Sequence, residues 1–173
     1  IYCLLTDIRS LSFPESTLFF AIQTSKNDGH LYIPLLYQRG VRSFVVEYMP
    51  EKLDAYSNAS FLLVDNSLRA LHLVAEATRR SFGVPVVGIT GSNGKTIVKE
   101  WLNQLLSADW KIVRSPRSYN SQVGVPLSVW LMDNETQLGI FEAGISQVGE
   151  MQRLQPIIRP TIGVLTNIGQ AHP

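Results

Sequence analysis

Between Gly88 and Thr96 the chain reads GITGSNGKT, an apolar strand over Val84 to Ile89 that turns through glycines into a helix opening on Lys95 and Thr96. A strand that leaves at once as a helix belongs in a parallel α/β sheet, where such turns lie at the carboxyl edge of the strands. Gly91 and Gly94 let the backbone turn sharply and approach a ligand, so that successive N–H groups and the positive end of the helix face a polyphosphate. Lys95 adds a mobile charge and the Thr96 hydroxyl a magnesium ligand, which makes Gly91, Ser92, Asn93, Gly94, Lys95 and Thr96 an expected ATP-binding loop. The spacing is a variant, because Gly-x4-Gly-Lys-Ser/Thr would put glycine where Ile89 stands. A purely structural turn would use the glycines, but it has no need of lysine and threonine directly after them.

The residues after this loop alternate strand and helix. The pattern predicts a helix over Lys95 to Leu106, a strand over Ile112 to Arg114 and a polar stretch from Ser115 to Gln122. It continues with an apolar helix near Val125 to Leu131, a strand over Leu138 to Ala143, a helix over Gly149 to Leu154 and a strand over Ile162 to Thr166. That order implies a mostly parallel sheet flanked by helices, with Glu142, Asn167 and His172 following strand ends where ligands bind. The first half reads as a smaller α/β unit. Its strands are Thr17 to Ile22, Ser43 to Glu47 and Phe61 to Val64, and a turn at Asp28-Gly29-His30 precedes a helix over Leu31 to Arg39 that Gly40 stops. Asn66 or Ser67 caps a further helix with Leu71, Val74, Ala75, Thr78 and Phe82 on one face, ended by Gly83 and Pro85. The expected fold class is therefore α/β, with one small domain over residues 1–83 and the first half of a P-loop ATPase domain over residues 84–173.

Composition excludes other classes. At 173 residues with 45% hydrophobic content the chain can bury a core, and a net charge of +1 gives no field to draw in nucleic acid or a membrane surface. No apolar run approaches the roughly 18 residues that a membrane helix needs, so a soluble chain without membrane insertion is expected. The one cysteine, Cys3, has no internal partner, which suits a reducing compartment. The chain opens on Ile1 instead of methionine, so residues are expected to precede it.

Several segments in order resemble the Mur ligases, the ATP-dependent amide ligases that build the peptide of bacterial peptidoglycan. They are TGSNGKT (Thr90 to Thr96), YNSQVGVPLSV (Tyr119 to Val129), FEAGISQVGEM (Phe141 to Met151) and TNIGQAHP (Thr166 to Pro173). In the first half TDIRS (Thr6 to Ser10), PESTLFFAI (Pro14 to Ile22) and NDGH (Asn27 to His30) resemble the family's UDP-sugar-binding domain, with Ile8 standing where its Asp-Ser-Arg motif has serine. The likeness is strongest to the member that adds D-alanyl-D-alanine to UDP-N-acetylmuramoyl-tripeptide, in particular to forms fused farther along the chain to an alanine racemase. Pyridoxal phosphate would be needed only by such a racemase domain, outside these residues.

The resemblance implies a cytoplasmic enzyme that phosphorylates a substrate carboxylate with ATP and lets an amine attack the acyl phosphate, giving an amide, ADP and phosphate. By that likeness Lys95 holds the β- and γ-phosphates, Thr96 and Glu142 bind one Mg2+, and His172 binds a second; Lys95, Glu142 and His172 form the catalytic set. Asn120 and Ser121 would lie beside the γ-phosphate and the muramoyl peptide, while Arg9, Ser10 and His30 would meet the UDP-sugar. It also implies that the chain stops before the family's remaining elements, so the fragment alone is expected to be inactive.

Plainer readings stand beside these. Glu142 follows an apolar strand and precedes Ala143-Gly144, which favours metal binding over a solvated carboxylate. Arg9 suits phosphate oxygens with its forked donors, or forms a surface salt bridge. His30 reads as a turn stabiliser as well as a UDP contact, and His72 as a helix packing residue. Trp101, Trp110 and Trp130 read as core, and Lys111, Arg114 and Arg117 as a solvated edge. Other ligases of the superfamily, adding diaminopimelate, lysine or glutamate, and a nucleotide-responsive module without catalysis remain alternatives.

Overall fold

The computed structural model describes residues 1–146 and 148–169. They form two compact units, the first Ile1–Leu71 and the second beginning at His72.

In the first unit four parallel strands stand in the order β1 (Cys3–Leu5), β2 (Thr17–Phe20), β3 (Ser43–Val46) and β4 (Ser60–Leu63). Three of them were expected. β1 was not, because three residues carry no periodicity and Leu5 alone is buried. Phe19, Phe44, Val46, Leu36 and Val41 make the core, and the near-continuous apolar runs are what a parallel sheet covered on its faces requires. The helix expected from Leu31 begins as a 3-10 turn over Gly29–Tyr32 and becomes α1 (Ile33–Gln38), with Pro34 in its first turn, where a missing N–H costs nothing. Gly40 ends it at φ +100° with bonds from Gly40 N–H to Tyr37 O and Val41 N–H to Leu36 O, the paired pattern of a left-handed stop.

The division between units falls within α2 (Ser67–Ser81). The second unit continues with β5 (Val86–Thr90), α3 (Lys95–Leu106), β6 (Ile112–Arg114), α4 (Gly124–Val129), β7 (Leu138–Glu142), α5 (Glu150–Ile158) and β8 (Ile162–Leu165). The sheet is parallel throughout, in the order β6-β7-β5-β8. One face packs Val86 and Phe141 against Ala75, Val125, Val129 and Leu154. On the other, Val87, Ile89 and Ile140 meet Val98, Leu102 and Leu106 of α3. Arg79, buried near the end of α2, donates to the carbonyls of Ile158, Arg159, Phe82 and Val84, so its fork closes the carboxyl end of α5 and the approach to β5.

Two tryptophans depart from expectation. Trp101 is 63% and Trp110 43% exposed. The buried side of α3 carries Val98, Leu102 and Leu106, and the helical period puts Trp101 about 100° away from that line, with Ile97 and Leu105.

Candidate functional site

The turn after β5 is held from outside its own sequence. Ser92 N–H donates to Asn167 O (3.0 Å) and Asn93 N–H to Asn167 Oδ1 (2.9 Å). Ser92 Oγ donates to Gly169 O (2.7 Å) and accepts from Gly169 N–H (3.0 Å). Gly91, at φ +135°, passes so close to β8's continuation that a Cβ there would lie 2.1 Å from Thr166 Oγ1. Gly94 takes φ +82° and starts α3. Both positions need glycine, the first for space and handedness, the second for handedness. Lys95 is half-buried, its Nζ folded back onto Gly91 O at 2.6 Å. The first N–H groups of α3 have no carbonyl behind them within the helix, and they point from this turn with the positive end of the helix dipole.

Thr96, on the first turn of α3, meets the end of β7: its hydroxyl donates to Glu142 Oε2 at 3.1 Å across 46 residues of sequence. Glu142 is fully buried. Its N–H donates to Ser115 Oγ, and its other oxygen, Oε1, lies 3.0 Å from Lys99 Nζ as an ion pair but accepts no hydrogen bond. Lys99 is itself fully buried and donates to Ser115 O (2.8 Å) and to Arg117 O, with Glu100 Oε1 3.2 Å away. Sequence reasoning missed Lys99. The signal was present, since the helical period places position 99 with Leu102 and Leu106 on the buried side of α3, where a cation requires a partner.

The polar stretch after β6 comes to the same strand ends. Gly144 N–H donates to Asn120 O at 2.7 Å, which brings Asn120 beside the end of β7. Ser121 Oγ accepts Gly124 N–H and so caps α4 with its exposed side chain. Gly144 has no room for a Cβ, which would stand 2.8 Å from Asn120 O. His72 donates from Nε2 to Gln122 O at 2.7 Å, and burial pushes its pKa down.

Arg9, Ser10 and His30 belong to the first unit. Arg9 is exposed and forks onto Asp7, whose carboxyl the Arg9 side-chain bond holds below its ordinary pKa. Ser10 is exposed at the end of the same short turn. His30 is buried; Nδ1 bonds Asp28 Oδ1 at 2.7 Å and Nε2 accepts Glu47 N–H at 2.9 Å, which fixes the proton on Nδ1. Both ring nitrogens thus serve the turn. Tyr48 stacks on the His30 ring and donates to Asp28 Oδ2 at 2.6 Å.

His172 lies outside the described residues. Among the described residues no group of three or more His, Cys, Asp or Glu side chains could hold a metal, and no helix is long and apolar enough to cross a membrane. Thr96 and Glu142 offer oxygen donors only, the chemistry that magnesium prefers, and Glu142 Oε2, which faces the Thr96 hydroxyl while Oε1 faces the Lys99 ammonium, fits a cation at that place. Magnesium keeps waters and phosphate oxygens among its ligands, so two protein groups suffice.

Residues 89–173 match the Mur ligase middle domain. The UDP-N-acetylmuramoyl-tripeptide–D-alanyl-D-alanine ligase of Bacillus subtilis is 32% identical over 176 residues, covering 99% of this chain and 37% of that protein. The ligase of the same name from Borreliella burgdorferi is 34% identical, covering 91% and 35%. The crystal structure of MurF ligase from Thermotoga maritima in complex with ADP superposes with a TM-score of 0.84 at 28% identity, over 98% of this chain and 38% of that one. This chain thus spans little more than a third of the length of the relatives it matches.

Proposed function

The chain belongs to the Mur ligase family, and on that ground we propose that it is part of an ATP-dependent ligase adding D-alanyl-D-alanine to UDP-N-acetylmuramoyl-tripeptide in the cytoplasm. The observation that carries this reading is the meeting of Thr96 and Glu142 beneath the turn that presents Lys95. A nucleotide's phosphates lie against the first N–H groups of α3, and Lys95 leaves Gly91 O to neutralise their charge. Thr96 and Glu142 hold Mg2+, which when bound offsets charge on the phosphates. Asn120, whose carbonyl accepts Gly144 N–H just after β7, and the adjacent Ser121 take the γ-phosphate and the substrate carboxylate. Residues 1–83 serve as the UDP-sugar domain, with Arg9, Ser10 and the turn at Asn27 as its contact face and the buried His30 holding that turn in shape, and residues 84–173 begin the ATP-binding domain. His172 completes the set as a ligand of a second Mg2+.

In the full-length protein, phosphate release from Mg·ATP is expected only when both UDP-N-acetylmuramoyl-tripeptide and D-alanyl-D-alanine are present. Lys95→Ala should weaken Mg·ATP binding about ten- to a hundredfold in calorimetry, because charge-assisted bonds of about 1.5 to 3 kcal/mol are lost. Turnover with diaminopimelate, lysine or glutamate in place of the dipeptide would assign a different family member, and nucleotide binding without turnover would leave a non-catalytic module.

A further inference from the structure

Lys99 is a charged group of this site that the proposed chemistry does not use, and its surroundings are unusual for a lysine. It is completely buried on a helix face that otherwise packs leucine and valine against the sheet. Burying an ammonium group is costly unless it is paired and hydrogen-bonded. Here it reaches two carbonyls of the stretch after β6, Ser115 O and Arg117 O, and the carboxylate of Glu142. Arg117 is a non-glycine residue at φ +49°, a conformation that persists where the surroundings hold it. Ser115 in turn accepts the N–H of Glu142. One cation therefore fastens the phosphate helix to the strand end bearing Glu142 and to the segment leading to Asn120.

The consequence lies in the orientation of Glu142. A carboxylate free to rotate offers either oxygen to a ligand. With Oε1 3.0 Å from Lys99 Nζ and Oε2 3.1 Å from Thr96 Oγ1, its plane is set from both ends. Given that the Thr96 and Glu142 pair receives a nucleotide-bound divalent cation, on which this step rests, we propose that Lys99 is a positioning residue: it holds Glu142 with Oε2 aimed at Thr96, so that the carboxylate meets the cation as a one-oxygen ligand in a fixed direction. Lys99 touches neither nucleotide nor substrate; it acts through Glu142.

The test uses the full-length protein and Mn(II) as the metal probe. Removing an outer partner of a metal ligand typically lowers metal affinity about 10- to 100-fold. Lys99→Met should therefore weaken binding of Mn(II)·ADP by about tenfold or more, while ADP titrated in the presence of a chelator binds within about twofold of the wild type. A general packing role would weaken both titrations together, and that outcome overturns the proposal, as does unchanged Mn(II)·ADP affinity. Lys99→Met leaves Glu142 buried without its cation, so folding is checked by circular dichroism. Should that variant not fold, Glu142→Gln is compared with the double variant Lys99→Met/Glu142→Gln, in which no carboxylate is left unpaired. Mn(II)·ADP affinities within about twofold of each other mean that Lys99 acts through Glu142, and a further loss of about tenfold in the double variant overturns it. Wild-type protein that binds no Mn(II)·ADP would instead sink the nucleotide reading itself, a separate result from a wild type that binds and a Lys99 variant that binds equally well.

Discussion

Tyr48, His30 and Asp28 show how a single carboxylate organises a turn. Asp28 accepts from the His30 ring, from His30 N–H and from the Tyr48 hydroxyl. Burial pulls its pKa upward as the largest single effect, and the three bonds together outweigh it, so the net direction is downward. The same contact pushes the Tyr48 pKa up to about 12, because its proton is held by the Asp28 carboxylate. A raised pKa in the folded state means that the folded chain keeps a proton which the unfolded chain loses above pH 10. The stability gained from that bond is thus full below pH 10 and is lost as pH rises through about 12. In a spectrophotometric titration, wild type should show one tyrosine ionising near pH 12 that is absent from Tyr48→Phe. Over the same interval the difference in unfolding free energy between the two proteins should shrink; a difference independent of pH would refute the shared proton. Little of this was legible in NDGH. The sequence suggested a turn and a histidine stabilising it, but Tyr48 lies 20 residues from Asp28 and joins it only through the return of β3.

Among the elements, the glycine turn between β5 and α3 depends on the segment beyond β8. Asn167 accepts with both its backbone and side-chain oxygens from the N–H groups of Ser92 and Asn93. Asn167→Ala removes the side-chain acceptor and leaves the backbone one. A bond of this kind contributes about 1 kcal/mol, so hydrogen exchange at Asn93 N–H should quicken about fivefold while Val86 to Ile89 in β5 exchange as before. Exchange rates unchanged at Asn93 would show that the turn holds its shape unaided. The strands themselves were readable because each is a short apolar run bounded by breakers, and α3 because a glycine turn precedes its periodic residues. The sheet order β6-β7-β5-β8 was not readable. It is decided by which helix covers which face, a property of packing between distant runs. The same limit explains Trp101, whose apolar character suggested core although its place on α3 faces away from Val98 and Leu102.

For the molecule as a whole, the sequence pattern yielded the α/β class and the parallel sheet, and the family resemblance brought Thr96 together with the strand-end Glu142, which the structure joins by a hydrogen bond. It did not yield the partners of the buried lysine beneath that pair: the helical period puts Lys99 on the buried side of α3, but Glu142, Ser115 and Arg117 come to it from distant parts of the chain. Catalysis asks for more than the pair. β8 forms the edge of its sheet, with Ile162 and Leu165 exposed, and the relatives are nearly three times as long. Holding two reactants in line and keeping water out accounts for as much as about 7 to 11 kcal/mol of a barrier. Residues 1–173 alone should therefore release no phosphate above background from ATP with both ligase substrates, and steady amide formation by them would show the site to be complete within this chain.

The bonds from Ser92 to Asn167 and Gly169 span as many as 77 residues, and this has a bearing on the order of events during synthesis. The glycine turn leaves the ribosome long before the segment that fixes it. Until Gly169 has emerged, the turn lacks the partners of Ser92 and Asn93, and nucleotide in the cell has no finished cradle to stabilise. A nucleotide bound as proposed cannot then act as an early folding aid for β5 and α3. It can do so only once β8 has docked beside β5, so that ligand binding would report on a four-stranded sheet already assembled.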